Sequence, residues 1–148
     1  MTPSAAERTV VLTMRLLAGG FAVTGILFLA TPDGVVSALD DVGDLLGGFA
    51  TGPETQQKLW LALAFAYMTV IAAIALVVSM DVARYRPLLL VLAAGKVASS
   101  LPAGAFFIFD EHVFVYLVTF VVDGALVAVS VACWVLSGRV EDRTGVLQ

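Results

Sequence analysis

The chain has 148 residues, 60% of them hydrophobic and 14% charged, with a mean hydropathy of +1.00. Soluble domains carry about a quarter charged residues, so this composition excludes an ordinary water-soluble globule. Eight Lys and Arg against twelve Asp and Glu leave a net charge of −4 and no basic stripe for nucleic acid, while one cysteine (Cys133) and one histidine (His112) exclude an internal disulfide, a CxxC pair, a cysteine-built zinc site and bis-histidine haem ligation.

What remains is a small integral membrane protein, read as a single domain over 1–148. Its first apolar run covers about 10–31 and reads as a bilayer-crossing helix, which needs ~20 residues. Arg15 interrupts it roughly 8 Å from one end, close enough for its long stem to snorkel and anchor the helix. No small-x-small cleavage site follows, and Thr31-Pro32-Asp33-Gly34 stands at its end, so a retained helix stopped by Pro32 is expected.

Within the connection that follows, Val35, Val36, Leu39, Val42, Leu45 and Leu46 gather on one helical face and Asp40, Asp41 and Asp44 on the other. That 3.6-residue pattern predicts an amphipathic surface helix over about 35–46, lying along the outer surface or covering the mouth of the bundle. Its polar face is acidic, so attraction to anionic lipid is not its purpose.

The second span, about 59–80, contains no charged residue and is apolar around its circumference apart from Tyr67, Thr69 and Ser79. A soluble bundle helix would need a polar face. The third, about 87–109, carries Lys96 with Ser99 and Ser100 after it, and Pro102 is expected to bend it. The fourth, about 113–136, carries Asp123, with Tyr116, Thr119 and Ser130 at i−7, i−4 and i+7. The short connections 81–86 and 110–112 make spans two, three and four antiparallel neighbours. The fold class is therefore all-α: a four-helix transmembrane bundle with an extra amphipathic helix in the first outer connection.

Orientation follows from the basic residues. Arg8 and Arg15, the pair Arg84 and Arg86, and the tail residues Arg139 and Arg143 all fall on one side of a four-span layout. The other side carries Asp33, Asp40, Asp41, Asp44, Glu54, Asp110 and Glu111, against Lys58. Lys and Arg excess marks the cytoplasmic face, so a multi-pass protein of the cell membrane with both termini cytoplasmic is expected.

Lys96 and Asp123 each lie roughly 14–15 Å from a surface, near the middle of a ~30 Å core. Helices joined by so short a turn bring the two face to face, and an intramembrane ion pair or its neutral hydrogen-bonded equivalent is expected. Tyr67, Ser99, Ser100, Tyr116 and Thr119 extend it into a polar seam. Such a seam either locks the helices in register or holds a polar ligand head, since intramembrane charges often mark functional sites. No catalytic constellation and no metal site can be assembled, and His112 reads as a solvated turn residue.

The run Arg15-Leu-Leu-Ala-Gly19-Gly20, continuing through Gly25 to Pro32-Asp33, resembles the opening helix of the DoxX-like family of small bacterial membrane proteins. The resemblance implies four helices with a longer connection after the first, and an association with quinone-linked oxidoreductases. The third span has Gly95-Lys96 where no family polar motif is visible, so no catalytic residue is carried over. Three functions are weighed. The first is a non-enzymatic accessory subunit that binds a membrane-protein partner or a second copy of itself. The second is a quinone- or lipid-binding component using Tyr67, Lys96 and Asp123, with quinone the only cofactor in view. The third is a small transporter, although compact exporters need a first-helix carboxylate and this helix carries Arg15.

Overall fold

The computed structural model describes residues 4–52 and 58–145. The helices α1 (Ala5–Ala30), α2 (Pro32–Leu46), α3 (Lys58–Met80), α4 (Leu88–Phe109) and α5 (Phe114–Gly145) make up nearly all of it, and the described residues form no strand. Four of the five, all but α2, are long and apolar enough to cross a bilayer.

Two boundaries differ from the apolar pattern for reasons of capping. α1 starts five residues before the apolar run because Ser4 and Glu7 form a capping box: the Ser4 hydroxyl accepts from the Glu7 N–H at 3.1 Å, and Glu7 Oε2 accepts from the Ser4 N–H. Pro32 does more than stop α1. It occupies the first turn of α2, where a missing N–H costs nothing, so the amphipathic helix begins at 32 rather than 35. α2 ends where Gly47 and Gly48 take φ of 77° and 85°, a left-handed backbone that side chains with a Cβ resist. α4 runs as one helix through Pro102, and α5 continues well beyond 136. The side chains of Arg139 and Arg143 lie outside the described residues.

The helices associate as two pairs. α4 packs along α5, and α1 packs along α3; α1 with α5 and α3 with α4 make the lighter contacts that join the pairs. The short connection 81–86 keeps α3 and α4 in contact as expected, but α3 lies more extensively along α1. Gly25 eases this approach: it is buried, and a Cβ there would sit 3.2 Å from Met68 Cβ, a tight contact. On the other pair, Gly104 similarly makes room for the Phe120 ring.

The end away from α2 is plugged. Val10 and Met14 of α1, Ile71 and Ala75 of α3, Leu89 and Leu92 of α4 and Cys133 of α5 form one buried apolar cluster. Arg86 clasps this end to α5, its Nε donating to the Trp134 carbonyl at 3.2 Å and its guanidinium lying 4.6 Å from the Trp134 ring centre.

The α2 end is capped. Gly43 is buried against the first turn of α5, where a Cβ would stand 2.9 Å from that of Phe114. The Asp40 carboxylate accepts the Gly52 N–H at 3.0 Å, and the Ala50 N–H donates to the His112 carbonyl at 3.0 Å. Phe49 fills the space between, edge-on to Phe114 at 5.0 Å. Only part of α2's apolar arc is covered by this packing. Val36 and Gly43 are buried and Leu39 half-buried, whereas Leu45 and Leu46 are 87% and 66% exposed. An arc that wide at 100° per residue exceeds what one neighbouring helix end can cover.

Candidate functional site

Four helices converge on Lys96. It is the ninth residue of the 22-residue α4, one turn before Ser100, whose hydroxyl donates to the Phe120 carbonyl of α5 at 2.9 Å and fixes the register of the two helices. In that register Asp123 of α5 meets Lys96. The ammonium Nζ lies 2.9 Å from Asp123 Oδ1, and the residues are 3% and 8% exposed. The Ser99 hydroxyl donates to the other carboxylate oxygen, Oδ2. Each Asp123 oxygen therefore has a donor, which is what a buried carboxylate needs to stay charged beside its partner.

The remaining face of the ammonium is aromatic. Phe21 of α1 places its ring centre 4.3 Å from Nζ, and Tyr67 of α3 places its own at 5.2 Å. Both are within the ~6 Å over which a cation is attracted to a ring face, and a desolvated pair of this kind contributes about 2 kcal/mol. Tyr67 is held there by its own hydroxyl, which donates to the Gly95 carbonyl at 2.7 Å. Of the three ammonium N–H bonds, one goes to Asp123, and the two rings flank the rest of the group.

This polar group forms the floor of a cleft of about 470 Å³ between the two helix pairs. Leu16, Leu17, Phe21 and Phe28 of α1 form one wall, and Val115, Val118, Val122 and Leu126 of α5 the other; Met68 and Leu39 complete it from α3 and α2. Thr24 and Thr119 are the polar wall residues, and the Thr119 hydroxyl is already spent on the Val115 carbonyl at 2.8 Å.

The expected seam is thus partly assembled. Lys96, Asp123, Ser99, Tyr67 and Thr119 share the cleft. Ser100 is buried beside them but bonds to α5 backbone instead of to the pair. Tyr116 lies against Phe106, the ring centres 5.8 Å apart and the planes tilted by 51°, and is not part of the cleft wall. Ser130 turns back to the Leu126 carbonyl at 2.8 Å, as helix hydroxyls do when no better partner is near. Arg15 is exposed on α1 and forms no ion pair among the described residues. Sequence reasoning missed Phe21 because nothing distinguishes it among nine phenylalanines; its role depends on which helix face turns to Lys96.

Chemically the site is a balanced charge pair in an apolar cleft. Among the described residues every buried side-chain N or O has a hydrogen-bond partner, and no three His, Cys, Asp or Glu residues gather to hold a metal. No family model, curated protein or solved structure matches the chain.

Proposed function

We propose that the chain is a multi-pass membrane protein with both termini cytoplasmic, and that it binds a quinone or another lipid-like molecule in the Lys96–Asp123 cleft without transforming it. In this role it serves as an accessory, DoxX-like component of a membrane system. The observation that carries the reading is the cleft itself: apolar walls, one polar patch at mid-helix depth, and a volume of about 470 Å³. Ligand sites typically span about 300–1,000 Å³ and combine apolar walls with a few convergent polar groups.

Membrane insertion is supported by the outward faces of the four long helices, where Trp60, Leu63, Val70, Leu101 and Val121 stand exposed. Orientation is supported by charge: Arg8, Arg84 and Arg86 lie towards the plugged end, and Asp33, Asp41, Asp44, Asp110 and Glu111 towards the α2 end.

The experiment is a titration of the purified protein in detergent with decylubiquinone, followed by native mass spectrometry for the retained molecule. Binding is expected for the parent chain and loss of at least tenfold in affinity for the double variant Lys96→Met/Asp123→Leu, which keeps no orphan charge. Equal binding by parent and double variant would remove the cleft from the function. The partner reading is tested in parallel by co-purification from native membranes. A recurring oxidoreductase subunit is the expected companion.

A further inference from the structure

We infer that the cleft is loaded sideways, from within the bilayer through the gap between α1 and α5, and that its ligand carries an uncharged oxygen acceptor as its head. The inference rests on the ligand-binding reading above and adds the route and the ligand's chemical class.

The route follows from which sides are shut. At one end, Val10, Met14, Ile71, Leu89 and Leu92 are almost fully buried and close the bundle. At the other, α2 lies across the mouth with Leu39 in the cleft wall, held by the Gly43–Phe114 contact, the Asp40–Gly52 hydrogen bonds and the Ala50–His112 hydrogen bond. The flank between α1 and α5 is joined at the plugged end, where Val10 and Met14 pack with Cys133, but alongside the cleft no hydrogen bond or ion pair ties the two helices among the described residues. Leu16, Gly20 and Thr24 of α1 and Val122 of α5 all line the cleft and are all exposed, Leu16 at 68%. A Cβ built on Gly20 meets nothing within 4 Å. In a bilayer that flank faces acyl chains, so the solvent from which the cleft fills is lipid.

The head chemistry follows from charge. Lys96 and Asp123 already sum to zero, and a carboxylate or phosphate head would compete with Asp123 for the ammonium, leaving one anion in excess in a low-dielectric core. A cationic head would set the same problem with Lys96. An uncharged carbonyl, ether or hydroxyl oxygen instead accepts one of the ammonium N–H bonds now facing the Phe21 and Tyr67 rings, and the charge balance is untouched. The position, about 12 Å along α4 from its first residue, also suits molecules that dissolve in the bilayer interior rather than those held at the interface by a charged head.

The test uses the full chain in phosphatidylcholine vesicles with three probes: decylubiquinone, palmitate and hexadecane. Gly20→Phe fills the flank from a position where a Cβ meets nothing within 4 Å, so its melting temperature should match the parent's while its decylubiquinone affinity or loading rate falls at least tenfold. Leu45→Trp adds similar bulk on the exposed arc of α2 and should leave loading unchanged. Decylubiquinone should bind more tightly than palmitate, and hexadecane more weakly than both. Undiminished loading in Gly20→Phe, or a loss in Leu45→Trp alone, overturns the lateral route. Preference for palmitate, or equal binding of hexadecane, overturns the uncharged acceptor. Failure of the parent chain to bind any of the three removes the ligand-binding reading itself.

Discussion

Replacing one member of the Lys96–Asp123 pair leaves the other buried without its counter-charge. The pair sits 2.9 Å apart and both residues are under a tenth exposed, so neither survivor can turn to water without moving a helix. Breaking such a pair costs about 3–5 kcal/mol. For a chain of this size a change of 1 kcal/mol moves the melting temperature by about 2–4 °C, so Lys96→Met and Asp123→Leu should each lower it by roughly 6–20 °C. The two losses are not expected to be equal. After Asp123→Leu the ammonium keeps the faces of Phe21 and Tyr67, whereas after Lys96→Met the carboxylate keeps only the Ser99 hydroxyl, so the lysine variant should suffer more. The double variant removes both charges and should regain part of the loss, with a coupling on the order of 0.5–3 kcal/mol. The assay is a melting series of the four proteins in one detergent. Strictly additive losses would show that the two groups do not stabilise one another and would refute the reasoning.

Gly25→Leu should cost about 1–3 kcal/mol by forcing α1 off Met68, whereas Gly19→Leu, where a Cβ meets nothing within 4 Å, should leave the melting temperature unchanged. Gly43→Val should lift α2 from Phe114 and speed amide hydrogen exchange across 32–46 without unfolding α4 and α5, as read by exchange mass spectrometry. Single cysteines at 41 and 44 should react with an impermeant maleimide in intact vesicles and one at 36 should not. Protection at 45 and 46, which the bundle leaves bare, would come from lipid and marks α2 as an interfacial helix. A cytoplasmic reporter fused after residue 148 should be active and a periplasmic one silent.

The parts of this architecture legible in the sequence are those set by long apolar runs and by pairs joined through short turns. The four long helices stand where the hydropathy places them, give or take their caps. The meeting of Lys96 with Asp123 is legible because the connection 110–112 leaves α4 and α5 little freedom to slide. The pairing of α1 with α3 was hidden, since it crosses the long connection and nothing in α1 marks which of its faces turns to α3. Tyr116 and Ser130 share a helical stripe with Asp123, yet periodicity along α5 carries no information on how far the cleft extends beside it. The uncovered arc of α2 was hidden for a related reason: a pattern shows which residues are apolar, not how many of them a neighbour will cover.

On the membrane reading proposed above, the opposite charges carried by α4 and α5 also bear on the order in which the chain would enter its bilayer. A lone lysine or aspartate at the centre of a helix raises the cost of insertion by about 2.5–3.5 kcal/mol. Alone, each of these helices therefore partitions less readily than α3, which carries no charge between Leu59 and Met80. Released as a hairpin, they meet lipid with Nζ and Oδ1 already 2.9 Å apart and neither charge solitary. The turn at 110–112 thus ties two unequal partitioning problems into one, and it favours delivery of α4 and α5 from the insertion machinery together rather than in succession.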